Sequence, residues 1–481
     1  VNPFWNHQQL AIDKGDTIPN LAMFMEVGTG KTRVLIEIIR RDFNKWGPRD
    51  TLIVAPLMVC PQWKKEFAKH TKIPEQMIHV LVNEGAKRVK AMERILESGK
   101  PAIVITNYEG MRIEKFHKML LKWGPKLVGL DESHRIKDDK SLQASRIYPL
   151  CEGAARRFLL TGTPILNSLI DIFGQYKALD PSVFGDNAWK FKRSYFYDKN
   201  AGRPNCNFPD WQPLPNTLKD ISAKIAPTSV QAKKEDCLDL PPLLKVPVPV
   251  PMSPQQEKLY EDMRKHFVAG LGETIAIAEF AMTKTLRLQQ ILTGYVAADS
   301  ESDPAWVQEN PRLDMLGQIL EDLRGEQVLI WTNFRPTYKK IAERCAKHGY
   351  KVGFITGDET VAEKQAYIQA FIDGGIGALI INPAAGGAGL DGLQCCRYSI
   401  YYSRGYSLEH FLQSEGRNYR GGTKDKVTHY HLIVEGTLDE VIYKALANKQ
   451  SVADEVLAWA SQLRLTTECV GATAPLKETV L

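Results

Sequence analysis

The chain has 481 residues, 44% hydrophobic and 25% charged, and its 62 basic and 56 acidic side chains leave a net charge of +6. That length exceeds one ordinary core and suggests about two to four domains, while the composition is that of a globular protein, for which disorder is not the default. The charge is too mild to argue a polyanion partner by itself, and no uncharged apolar run of about 18 residues is present to span a membrane. The start, Val1-Asn2-Pro3-Phe4-Trp5, lacks the basic-then-apolar order of a secretory signal. The eight cysteines form no C-x-x-C pair, read as reduced thiols, and suggest no zinc site.

The first predicted elements are a buried strand over Leu21 to Phe24 and a helix with Val34, Leu35, Ile38 and Ile39 on one face. Between them lies Met25-Glu26-Val27-Gly28-Thr29-Gly30-Lys31-Thr32, the setting of a nucleotide phosphate loop. Gly28, Thr29 and Gly30 let backbone N–H groups curl around an anion, and the helix start adds partial positive charge. Lys31 would reach the β- and γ-phosphates of ATP, and the Thr32 hydroxyl would ligate Mg²⁺. Met25 stands where the longer form of this loop has glycine.

Short apolar runs at 51–55, 102–106, 126–130 and 157–161 alternate with longer amphipathic stretches, the rhythm of a parallel sheet with helices on both faces. Ligands on such sheets bind beyond the carboxyl ends of the strands. Trp189, Phe191, Tyr195, Phe196 and Tyr197 then interleave with Lys190, Lys192 and Arg193; this pattern suits either nucleic-acid contact or a helix with its aromatics turned inward. Prolines 241, 242, 247, 249, 251 and 254 predict a stiff, extended link, and 255–264 and 275–292 read as helices. Strands are expected again at 327–331, 351–355, 377–381, 398–402 and 428–434, followed by a helix to about residue 463 and a polar tail. The second α/β region has no glycine-Lys-Thr loop and so no second nucleotide site.

Leu127-Val128-Gly129-Leu130-Asp131-Glu132 is a strand ending in two carboxylates. Asp131 can hold Mg²⁺ while Glu132 orients and deprotonates an attacking water. With Asp131-Glu132-Ser133-His134-Arg135-Ile136-Lys137 and Leu160-Thr161-Gly162-Thr163-Pro164-Ile165-Leu166-Asn167, the chain resembles the superfamily-two helicase-like ATPases, and specifically the Swi/Snf family of double-stranded DNA translocases. The likeness covers roughly residues 1–445. It continues through 240–242, 286–291, 328–334, 385–390 and 413–420.

The resemblance implies an α/β fold of two RecA-like lobes, parallel sheets flanked by helices, with helical insertions between them. The expected divisions are an ATP-binding lobe at 1–170, its helical insertion at 171–235 and a proline-rich linker at 236–255. A second helical insertion at 256–305, an arginine-finger lobe at 306–440 and a C-terminal helix and tail at 441–481 follow. By position, Gln8 matches a residue that reads adenine, Lys31, Thr32, Asp131 and Glu132 keep the roles above, and Arg417 and Arg420 match arginines supplied to the nucleotide. Those two arginines are expected one helical turn apart, with Gln413 on the same face. The segments matching the family's DNA-backbone contacts contain Pro56, Thr106, Tyr108, Thr161, Gly162, Thr163, Thr332, Asn333, Thr356, Gly357, Gly386 and Gly387, suited to phosphate binding without base readout. Asp138 and Tyr402-Ser403-Arg404-Gly405-Tyr406 depart from the family pattern and touch no phosphate chemistry.

The implied protein is a DNA-stimulated ATPase that translocates on double-stranded DNA, using ATP and Mg²⁺, with fork regression or annealing as uses. Two rivals are a strand-separating DNA or RNA helicase and an ATP-gated interaction module without motor activity. A compact cytoplasmic monomer of prokaryotic or viral type, without chromatin-reader modules, is expected, with any protein partners in replication, repair, recombination or defence.

Overall fold

Brief runs of Val, Ile, Leu and Met, uninterrupted by charge, become strands buried on both faces. The computed structural model describes residues 3–82, 85–166, 168–202, 209–237, 240–269, 277–296, 304–386, 390 and 392–448, with side chains for all but 266–269 and 277–284. The chain divides into two units, Val1–Leu240 and Pro241–Leu481.

The first unit carries β1 (Asn20–Met25), β2 (Thr51–Ala55), β3 (Ile78–Leu81), β4 (Ile103–Asn107), β5 (Leu127–Asp131), β6 (Arg156–Thr161), the antiparallel pair β7 (Phe196–Asp198) and β8 (Trp211–Pro213), and β9 (Ser229–Ala232). Seven of these form a parallel sheet in the order β3-β4-β2-β5-β6-β1-β9. Alternation along β1 feeds two cores: Leu21, Met23 and Met25 on one face, Ala22 and Phe24 on the other. Helices α1 (Asn6–Thr17), α2 (Lys31–Trp46) and α3 (Cys60–His70) contribute to the first of these, and Val34, Leu35, Ile38 and Ile39 of α2 are all buried in it.

The second unit carries β10 (Leu243–Pro249), the antiparallel pair β11 (Tyr295–Val296) and β12 (Ala305–Trp306), β13 (Val328–Trp331), β14 (Val352–Ile355), β15 (Ala378–Ile381), β16 (Tyr398–Tyr401) and β17 (Val427–Ile433). Its parallel sheet runs β10-β17-β16-β13-β15-β14.

Two boundary expectations change. The division between the units falls within the proline-rich stretch, which is extended, and from Leu243 it forms the edge strand β10 on β17. The Val250 N–H donates to Ile433 O, so even-numbered residues face β17 and the N–H-less Pro247 and Pro249 face away. The segment expected as the first unit's helical insertion also contains β9, which returns to the main sheet beside β1. The helices Pro254–Ala269 and Ile277–Thr293 stand where helices were expected. The helix after β17 is described as Leu438–Ala447, and its expected continuation lies outside the described residues.

Phe191 and Phe196 of the basic-aromatic stretch turn inward, with Phe191 ringed by Phe173, Phe184 and Tyr195. Trp189 stays 58% exposed beneath the Arg193 guanidinium, 4.4 Å from its ring centroid. Inward packing therefore describes the phenylalanines and not Trp189.

Candidate nucleotide site and nucleic-acid interface

The loop after β1 is shaped by Gly28 and Gly30, both at φ +90°. A Cβ on Gly30 would collide with Gln8 Nε2, so the glycine serves both the turn and the close approach of α1. The Gln8 amide donates to Thr29 O at 3.0 Å, His7 Nε2 lies 2.9 Å from the same oxygen, and Gln8 Oε1 accepts from Trp5 N. Lys31 opens α2, and its ammonium folds back onto Met25 O at 2.8 Å and Glu26 O at 3.4 Å. Phosphate oxygens are stronger acceptors than those carbonyls for the same cation. Thr32 is half-buried at the helix start.

Asp131 ends β5, separated from β1 only by β6. Its Oδ2 accepts from Trp63 Nε1 at 2.9 Å, its Oδ1 from Glu132 N at 3.1 Å, and its backbone oxygen from Tyr108 OH at 2.7 Å. Burial, then the neighbouring Glu132 charge, push its carboxyl up to about 6, with Trp63 and Lys31 pulling the other way. Trp63 lies 68 residues from Asp131 in sequence and was not anticipated; only the packing of α3 brings it there.

Glu132 is the only non-glycine residue with positive φ among those described, at φ 51° and ψ 55°. A left-handed L-residue costs about 1–2 kcal/mol, a cost consistent with a functional rather than a structural position. Its Oε2 lies 3.4 Å from Thr161 Oγ1 and 3.5 Å from His134 Nδ1, and those two partners are 2.9 Å apart. Gly162 then presses on the phosphate loop: a Cβ there would stand 3.1 Å from Val27 N and 3.3 Å from Met25 O. Thr161-Gly162 thus joins the acid to the loop.

Several residues of the expected DNA interface have their hydroxyls turned to partners inside the protein. Thr106 donates to Leu81 O, Tyr108 to Asp131 O, and Thr356 to the Glu359 carboxylate, while the Thr161 hydroxyl bonds His134 and that of Thr332 bonds Thr337 and Ser403. All five side chains are buried, and each hydroxyl is satisfied inside because an unmet buried hydroxyl is costly. Pro56 and Gly386 are also buried, whereas Thr163 and Asn333 are half-buried and Gly357 is exposed. Gly387 lies outside the described residues.

In the second unit, Gln413 and Arg417 share a face of the helix Leu408–Asn418. Arg417 is 6% exposed and donates to Leu390 O at 3.3 Å; Gln413 donates to the Glu409 carboxylate. Arg420 does not continue that helix, contrary to expectation. Thr423 accepts from its backbone N–H and donates to Asn418 O and to Arg420 O, closing a turn in place of another helical one. The unexpected Ser403 receives the Asn333 N–H, and Arg404 is buried against Leu432 O.

Residues 11–299 match the SNF2-related domain, and residues 311–422 match the helicase conserved C-terminal domain. The chain belongs to the SNF2-related family. Among relatives, it is 26% identical to the probable ATP-dependent DNA helicase CHR12 of Arabidopsis thaliana over 90% of this chain and 39% of that one. It is 24% identical to the Zorya protein ZorD of Escherichia coli over 94% of this chain and 44% of that one. The chain thus spans less than half the length of these two relatives. The Sulfolobus solfataricus SWI2/SNF2 ATPase core in complex with dsDNA aligns at 21% identity and TM-score 0.44, over 97% of this chain and 95% of that one. The two parallel sheets flanked by helices are the two RecA-like lobes of an SNF2 core.

For this SNF2-type site, Trp63→Phe removes the donor on Asp131 Oδ2 and raises that carboxyl further. A carboxyl with a raised pKa is protonated below it, so in the metal-free protein Asp131 should take up its proton near pH 6. In the variant that uptake should shift upward by about one pH unit, the scale of one lost hydrogen bond to an ionised group. Carbon-13 NMR titration of the aspartate carboxyls in both metal-free proteins checks this.

Proposed function

We propose that this chain is an ATP-driven motor on double-stranded DNA, an ATPase stimulated by DNA whose grip ignores base sequence. The observation carrying this reading is the convergence of Lys31, Asp131 and Glu132 at the carboxyl ends of one parallel sheet, in a chain of the SNF2-related family. The crowded, buried Asp131 carboxylate beside Glu132 suits a divalent cation, and Thr32 and Asp131 would hold Mg²⁺. Bound there, the ion would offset charge on the phosphates. Lys31 exchanges its two carbonyl acceptors for phosphate oxygens, Gln8 orients adenine, and Glu132 takes the proton of the attacking water. Arg417 and Arg420 serve as arginine fingers, with Gln413 beside Arg417.

The buried hydroxyls leave the DNA grip to Thr163, Asn333, Gly357 and backbone N–H groups at strand ends, which bind phosphates without reading bases. Fork regression or annealing are uses of such a motor. We place it as a monomer acting with replication, repair, recombination or defence proteins.

Duplex DNA should stimulate ATP hydrolysis, with the stimulation weakening as salt rises. Lys31→Ala should reduce turnover by about 10²–10³-fold, the cost of removing one donor from a developing anion. Absence of stimulation together with full activity of Lys31→Ala would sink the motor reading. Triplex displacement beside fork unwinding separates translocation from strand separation.

A further inference from the structure

His429 and His431 stand two apart on β17 and therefore share a face of the strand. Glu415, from the helix Leu408–Asn418, meets them there. One carboxylate oxygen and one nitrogen from each ring lie within 4.8 Å of one another. Both imidazoles are fully buried. The His431 ring stacks on Tyr401 at 4.5 Å, with Tyr443 at 5.1 Å and Phe411 at 6.1 Å. Among the described residues, neither nitrogen of His431 has a hydrogen-bond partner. Buried polar nitrogens rarely go unbonded, so this ring calls for a ligand. His429 Nε2 lies 3.0 Å from Asn418 Oδ1; a proton donated there leaves the lone pair for ligation on Nδ1.

We propose that Glu415, His429 and His431 bind one transition-metal ion of the Zn²⁺ class. Two imidazoles and one carboxylate suit zinc, whereas Mg²⁺ prefers an all-oxygen shell; the site is therefore separate from the cation that accompanies ATP. Because Glu415 lies between Gln413 and Arg417, the ion fastens the arginine-bearing helix to β17. Two cations oppose it. Lys245 Nζ sits 2.5 Å from Glu415 Oε1, but its side chain is partly exposed and its long stem can withdraw. Arg404 is buried and stays, which limits affinity; burial with Arg404, His429 and Lys245 nearby also keeps His431 neutral, the form that ligates.

The test uses the full chain without an affinity tag, stripped by chelator and titrated with Zn²⁺ and Co²⁺ in the absence of nucleotide. One equivalent of zinc should bind, and Zn²⁺ but not Mg²⁺ should raise the melting temperature. Bound Co²⁺ should show the strong visible bands of a four- or five-coordinate ion. His431→Gln and Glu415→Gln should each weaken zinc binding at least ~100-fold, since loss of an outer-shell partner alone costs 10–100-fold. His79→Gln, on β3, should leave binding unchanged. Uptake well below one equivalent, or stoichiometric uptake unchanged in His431→Gln, overturns the site. If His431→Gln does not fold, the cobalt spectrum of the unaltered chain decides, and a weak six-coordinate spectrum overturns it.

Discussion

Glu132→Gln is expected to leave ATP binding within a few-fold and to lower turnover by about 10²–10⁴, the range for losing a general base. The amide keeps the size of the carboxylate and can still bond the Thr161 hydroxyl and His134, so the β5–β6 link should persist. It cannot accept a proton at neutral pH. The left-handed backbone at this position is unchanged, so its local cost remains and the folded state should melt close to the parent temperature. Single-turnover hydrolysis, together with binding of a fluorescent ATP analogue, separates the chemical step from affinity. Turnover within threefold of the parent would mean that Glu132 is not the base. A parallel loss of nucleotide binding would mean that it acts by shaping the loop through Gly162.

The residues legible in the sequence were those whose roles are set locally. A strand ending in Asp131-Glu132 and a glycine turn opening a helix at Lys31 each announce themselves within a few positions. So do most strands, where aliphatic runs exceed what a surface tolerates. β9, Ser-Val-Gln-Ala, carries too little apolar signal to be read as sheet; pairing with β1 makes it a strand. β10 was read correctly as extended, but its partner β17 lies far along the chain, and only pairing distinguishes an edge strand from a link. Trp63 was invisible for the same reason: its N–H reaches Asp131 through tertiary packing alone. The threonines matching family DNA contacts show the same limit for side-chain direction. Residue type suggests a phosphate donor, yet the pleat turns Thr106 inward to Leu81. The alternation of His429 and His431 is plain in sequence, but their third neighbour, Glu415, comes from another element.

Arg420→Ala is expected to lower DNA-stimulated turnover by about 10³–10⁵, the worth of an arginine finger. Arg417→Ala should lower it as well, but less cleanly. Arg417 is buried and bonded to Leu390 O, so its loss disturbs packing and should also lower the melting temperature. Arg420 lies beyond the last helical residue, half-buried, where Thr423 holds its backbone. Alanine there keeps the backbone N–H that Thr423 accepts, so the turn itself should survive. Arg420→Lys should recover little activity, because an ammonium lacks the planar fork that grips two phosphoryl oxygens. Turnover, KM for ATP and melting temperature measured on the three variants distinguish the roles. A drop in turnover at constant melting temperature for Arg420→Ala marks action on the nucleotide. Unchanged turnover would remove Arg420 from the site and leave Arg417 as the sole candidate finger in this helix–turn segment.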